Sequence, residues 1–189
     1  MGSDEGGVHP FDEWRGASGV FVLVELRGVI GERVHALQKR FDPRLAAFAR
    51  PHLTLIGSSG TGPITADTSV TTLRDALEPI ARDTSPLTLQ FMPPMRFMQT
   101  NTVVLPLDPH GALRSLHERI KGSSLPFGRT RHAFTPHVTL NLYRTLTTAE
   151  FRELLALRID EPIVVDHLMV SLTREPQRPK TLFELVLGA

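Results

Sequence analysis

Apolar residues in this 189-residue chain come in two rhythms, and the change of rhythm marks the elements. Short apolar runs bounded by Gly, Pro or polar clusters fit buried strands. Apolar residues three and four apart fit one helix face. The run "GVFVLVEL" (19–26) reads as a strand, and "GERVHALQKRF" then sets Val34, Leu37 and Phe41 on a helix stripe. "HLTLIG" is a strand that stops in the loop "GSSGTGP". A helix capped by Asp67 or Thr68 carries Val70, Leu73, Leu77 and Ile80, with Pro79 limiting or kinking it. "LTLQFM" and "TVVLPL" read as two strands paired across "PPMRFMQTN".

The second half is punctuated in the same way. Asp108 fits an N-cap, Pro109 the first helical turn, Leu113, Leu116 and Ile120 a buried stripe, and Gly122 the stop. "HVTLNL" is a strand, Thr147 and Glu150 make a capping box, and "IVVDHLMVSLT" and "TLFELVL" close the chain as strands. The order is strand, helix, strand, helix, strand, strand, helix, strand, helix, strand, strand. It predicts an α+β fold of two similar lobes, each a mainly antiparallel sheet flanked by helices, pseudo-two-fold related about a central cleft. The Gly-rich, acidic residues 1–18 are expected to be a flexible tail, and 19–189 a single bilobal domain.

One five-residue phrase occurs once in each half: "PHLTL" at 51–55 and "PHVTL" at 136–140, the histidines 137 − 52 = 85 positions apart. Residues i and i+2 of a strand share a face, so His52 and Thr54 project together while Leu53 and Leu55 enter a core. His137 and Thr139 repeat this against Val138 and Leu140. Packing gives reasons to keep leucine twice, but none to keep histidine twice. Brought together, one imidazole can take a proton from an attacking oxygen and the other can give one to a leaving oxygen near neutral pH. The threonine hydroxyls suit donation to non-bridging phosphoryl oxygens.

Composition narrows the chemistry. There is no cysteine, which excludes disulfides, thiolate nucleophiles and cysteine metal sites and suits a reducing cytosol. No HExxH, Walker loop or GxSxG appears. No apolar run approaches a membrane span, and no secretory signal is evident, so a cytoplasmic, membrane-free protein is expected. Net charge is +1, which argues neither for nor against a nucleic-acid partner. His35 and His117 are expected at the surface or boundary of their helices. His132 and His137 are too awkwardly spaced to read as a metal pair.

The two motifs, "PHLTL" and "RHAFTPHVTL", with the lead "FVLVEL…RVHALQKRF" and the closing strands, resemble the two-histidine (2H) phosphoesterases. The branch most similar comprises the RNA 2′,3′-cyclic phosphodiesterases or 2′–5′ RNA ligases, and the resemblance covers about 19–189. It implies opening of RNA 2′,3′-cyclic phosphates to 2′-phosphates, with weak joining or cleavage of 2′–5′ linkages and neither ATP nor metal. It implies that His52 protonates the departing 3′ oxygen, His137 activates water, and Thr54 and Thr139 hold the phosphate, with no cofactor. Arg131 and Phe134, ahead of the second motif, and Tyr143 and Arg144, after it, are further candidates for substrate contact; Arg129 shares the first of these segments. RNA ends or small nucleotides are the expected partners of a monomer. Within the superfamily, ADP-ribose cyclic phosphate and 2′–5′ oligoadenylate are alternative substrates. A non-catalytic RNA-binding protein and a metal-dependent phosphohydrolase are the other readings weighed.

Overall fold

The structure, a computed structural model, describes residues 18–189 except 99 and 175–177. The expected tail lies outside them apart from Ser18, which opens the first strand. The elements are β1 (Ser18–Glu25), α1 (Gly28–Phe41), α2 (Pro43–Phe48), β2 (His52–Ile56), α3 (Val70–Arg82), β3 (Leu87–Leu89), β4 (Met95–Arg96), β5 (Val103–Pro106), α4 (Gly111–Lys121), β6 (His137–Asn141), α5 (Thr148–Leu155), β7 (Ile163–Val165), β8 (His167–Arg174) and β9 (Lys180–Val186).

Seven strands form one sheet in the order β4-β5-β6-β2-β1-β8-β9, and β3 and β7 form a two-stranded sheet. Every pairing is antiparallel. The α+β class and the antiparallel sheet are as the sequence predicts. The described strands of the two halves are not divided into one sheet each, however. β1 pairs with β2, β5 pairs with β6, and β2 and β6 meet in the middle through Leu53 and Val138. The two copies of the five-residue phrase are therefore neighbours in one sheet.

The alternation read from the motifs decides the faces. Leu53, Leu55, Val138 and Leu140 are fully buried in one apolar cluster with Leu73 and Leu77 of α3 and Leu113, Leu116 and Ile120 of α4. His52, Thr54, His137 and Thr139 are half-buried on the opposite face.

Several local readings are corrected. The Asp-Pro signal is realised at Asp42–Pro43, where it starts α2, a helix missed in the sequence; Asp42 Oδ1 accepts from Leu45 N at 3.0 Å. At Asp108 the carboxylate instead accepts from His110 N, and α4 starts at Gly111. Ser69, not Asp67 or Thr68, caps α3, whose interior accommodates Pro79. "LTL" of 87–89 pairs with β7 rather than β5, leaving only a Phe91–Leu107 bridge between the segments expected to pair. The run at 163–173 breaks at Asp166, so β7 joins the small sheet and β8 the large one. The Thr147–Glu150 capping box is present with both reciprocal bonds.

His35 and His117 are buried rather than peripheral. His117 lies on the apolar stripe of α4, one turn past Leu113. It is tolerated there because its Nδ1–H donates to Leu55 O at 2.8 Å and its ring stacks on Phe134, centroids 4.0 Å apart. Burial pulls its pKa below the ordinary histidine value.

Candidate active site

Register alone assembles the centre of the site. Antiparallel pairing of Leu53 with Val138 sets His52 opposite Thr139 and Thr54 opposite His137. Each imidazole thus has a hydroxyl across the strand pair, and the two imidazoles lie on the diagonal. β2 and β6 share that one register pair. Gln38 of α1 ties its helix to β6, its Nε2 donating to Thr139 O at 2.8 Å.

All four motif side chains line a cleft of about 210 Å³. One wall comes from α1 and α2 and the segment after them, through Gln38, Leu45, Phe48 and Arg50. The floor extends along β1 through Leu23 and Phe21, and the far side carries Phe97 and Thr102. Phe97 meets His137 edge-on, ring centroids 5.1 Å apart, which packs the imidazole against an apolar surface.

The two histidines are held identically. His52 Nδ1 donates to Arg50 O at 2.8 Å and His137 Nδ1 to Thr135 O at 2.7 Å, in each case the carbonyl two residues back. A carbonyl can only accept, so Nδ1 carries the proton in both rings and Nε2 is the atom left for chemistry. Neither Thr54 nor Thr139 has its hydroxyl engaged by another described residue. Burial lowers the pKa of His52, opposed by the Arg50 carbonyl and the Glu25 carboxylate. Burial also lowers His137, opposed by the Thr135 carbonyl, while a charge on nearby His52 lowers it further. Burial therefore disfavours charge on both rings, and a proton on His52 disfavours a proton on His137.

The loop at 57–62 ties one motif to the other. Thr135 N donates to Ser59 Oγ at 3.0 Å, Gly60 N to His132 O at 2.8 Å, and Thr130 Oγ1 to Ser58 O at 3.3 Å. Ser59 is buried, and its Oγ also donates at 3.5 Å to Thr135 O, the carbonyl that orients His137. Replacing Ser59 by alanine strands the Thr135 N–H, and kcat is expected to fall about ten-fold with KM little changed, as a mis-aimed ring predicts. Steady-state kinetics beside a thermal melt check this; a loss of melting temperature with unchanged kcat contradicts it.

The other sequence candidates are placed elsewhere. Phe134 is buried under His117 and does not line the cleft, because the odd–even alternation before β6 turns it into the core. Tyr143 lies beneath the Arg44 guanidinium, 4.3 Å from the ring centroid. Arg144 bonds Phe41 O at 3.2 Å and Glu150 at 2.7 Å, holding α1 to α5 rather than reaching the cleft. Arg129 and Arg131 are exposed and do not line it. The cation that does is Arg50, which bonds Glu32. Its signal was adjacency to the first motif. Gln38 was detectable as a polar residue on the apolar stripe Val34–Gln38–Phe41. Phe97 sits in a segment read only as a connection.

Among the described residues, no group of three or more His, Cys, Asp or Glu side chains is placed to hold a metal ion, and no helix is long and apolar enough to cross a membrane.

The chain matches the profile of the 2′-5′ RNA ligase superfamily over residues 27–175. It belongs to that superfamily of two-histidine phosphoesterases and ligases, and so to a class of enzymes. Among solved structures it is similar to E. coli LigT complexed with NADP+ (TM-score 0.58, 17% identity, 91% of this chain and 99% of that one). It is also similar to E. coli LigT in apo form (TM-score 0.57, 18% identity, 92% and 99%) and complexed with 3′-AMP (TM-score 0.55, 17% identity, 91% and 99%). At these identities the likeness is one of fold. No curated protein matches the chain in sequence.

Proposed function

We propose that this protein opens 2′,3′-cyclic phosphates at RNA ends to 2′-phosphates by acid–base catalysis between His52 and His137, without metal. The observation that carries the reading is the pair of Nε2 atoms freed by identical Nδ1–carbonyl bonds, on one face of one cleft, with a threonine hydroxyl opposite each. The Nε2 of neutral His137 takes a proton from water, whose oxygen attacks phosphorus. The bond from phosphorus to O3′ breaks as the protonated Nε2 of His52 delivers its proton to O3′. Thr54 and Thr139 donate to the non-bridging oxygens, whose charge grows as the new bond forms. Run with a ribose 5′-hydroxyl in place of water, the same groups join two RNA ends through a 2′–5′ linkage without ATP. The complexes of E. coli LigT with 3′-AMP and with phosphate agree with a nucleotide and phosphate site in this fold.

The test uses a short RNA ending in a 2′,3′-cyclic phosphate, incubated with the protein in excess chelator. A 2′-phosphate product at an undiminished rate is expected. A 3′-phosphate product reverses the leaving oxygen, loss of turnover that added divalent metal restores overturns the metal-free mechanism, and no opening at all overturns the substrate.

A further inference from the structure

The two motifs are nearly equivalent by sequence, yet their surroundings are not. Glu25, the last residue of β1, is the register partner of His52 on β2. Directly opposed residues of an antiparallel pair project from the same face with Cβ atoms roughly 5 Å apart. Leu23 and Phe21, two and four positions earlier on β1, line the cleft, so Glu25 continues that face at its rim. Its carboxylate makes no hydrogen bond or ion pair with any described residue. The neighbouring cations are already engaged: Arg27 grips Glu184 with two bonds of 2.8 Å, and Arg50 holds Glu32. His137 has no carboxylate opposite it. Its partner on β5 is Pro106, and Phe97 covers its ring.

We propose that Glu25 divides the labour between the two imidazoles: its carboxylate, seated across the strand pair from His52, stabilises the protonated form of that ring and so makes His52 the proton donor and His137 the base. Glu25 acts through His52 and is a positioning residue. The inference rests on the two-histidine reading above and adds to it a physical cause for the asymmetry. The charged and titratable groups about His52 are Glu25 from β1, His137 from β6, and Arg50 with its partner Glu32 from the preceding segment and α1. Of these, Glu25 alone is an unpaired anion.

The test is Glu25→Gln, which keeps the shape and removes the charge. Titration of the two histidine rings by NMR needs no substrate, so it stands even if the RNA-end reading fails. In the wild type His52 is expected to titrate above His137. In the variant the His52 midpoint falls by up to about 1 unit and the gap closes. In turnover, the alkaline limb of the kcat profile reports loss of the donor's proton, so it moves to lower pH. The maximum falls roughly 3-fold, because less of the singly protonated enzyme carries its proton on His52. KM stays within about 2-fold, since no substrate contact is lost. A His52 midpoint unchanged by the substitution overturns the proposal. So does a kcat maximum that rises, which is the result if His52 is the base. Glu25→Ala, carried in parallel with circular dichroism, must reproduce the midpoint shift; a shift confined to one variant also counts against it.

Discussion

Replacing His52 or His137 by alanine is expected to lower kcat on an RNA 2′,3′-cyclic phosphate by about a thousand-fold each. A positioned acid or base contributes roughly a hundred- to ten-thousand-fold, and here nothing else described in the cleft offers a free nitrogen to replace either. KM should move little, because Thr54 and Thr139 remain. The double variant should be barely worse than either single one, since an acid and a base that work in one step fail together. Both rings are only partly buried and each makes one hydrogen bond, so the variants should unfold near the wild-type urea midpoint. Single-turnover assays beside urea titrations separate the two quantities. A loss under ten-fold in either variant removes the dyad from the mechanism.

The second large effect is on stability. Asp42 is completely buried, and its carboxylate accepts three backbone bonds: from Leu45 N at 3.0 Å, Leu142 N at 2.8 Å and Tyr143 N at 2.7 Å. It caps α2 and binds the α1–α2 corner to the chain leaving β6. Asp42→Ala strands three N–H groups. Each buried donor so abandoned costs about 1–3 kcal/mol, so a loss of about 4 kcal/mol is expected after partial rehydration. That is a large share of the stability of an ordinary domain. Asp42→Asn should fall between, because its NH₂ faces donors on one side. Urea unfolding gives the difference; a loss under about 1 kcal/mol would show that the corner is held by packing instead. Leu142 and Leu45 both line the cleft, so activity should fall with the folded fraction in this variant.

The parts of the fold that the sequence revealed are those set by local chemistry. The alternation in "PHLTL" and "PHVTL" placed four side chains on one face and four in a core, and the structure keeps every one of these orientations. The Thr147–Glu150 box was legible because both partners lie within one turn. What was not legible depends on distant contacts. Nothing local says that 87–89 pairs with 163–165, or that β2 and β6 adjoin in one sheet rather than facing each other from two. Phe134 and Arg144 were reasonable candidates by proximity to the motif. Proximity in sequence does not set direction, and the alternation that aims His137 into the cleft turns Phe134 into the core. Phe97, Gln38 and Glu25 reach the site only through tertiary neighbours: an edge-on ring, a bond to a strand carbonyl, and a strand register.

The seam between β2 and β6 has a consequence for how the protein adapts to what it binds. Two reactive groups carried on separate lobes can be drawn together by a hinge, and their spacing then depends on closure. Here they ride on adjacent strands of one sheet, and their spacing is set by the same ladder that holds the fold. The geometry is fixed before a ligand arrives, so ordering the dyad takes nothing from binding. Selectivity then draws on the walls of the cleft, among them Phe48, Phe97 and Arg50. Substitutions that weaken the fold elsewhere should change how many molecules work at a given temperature while leaving each surviving molecule's rate untouched.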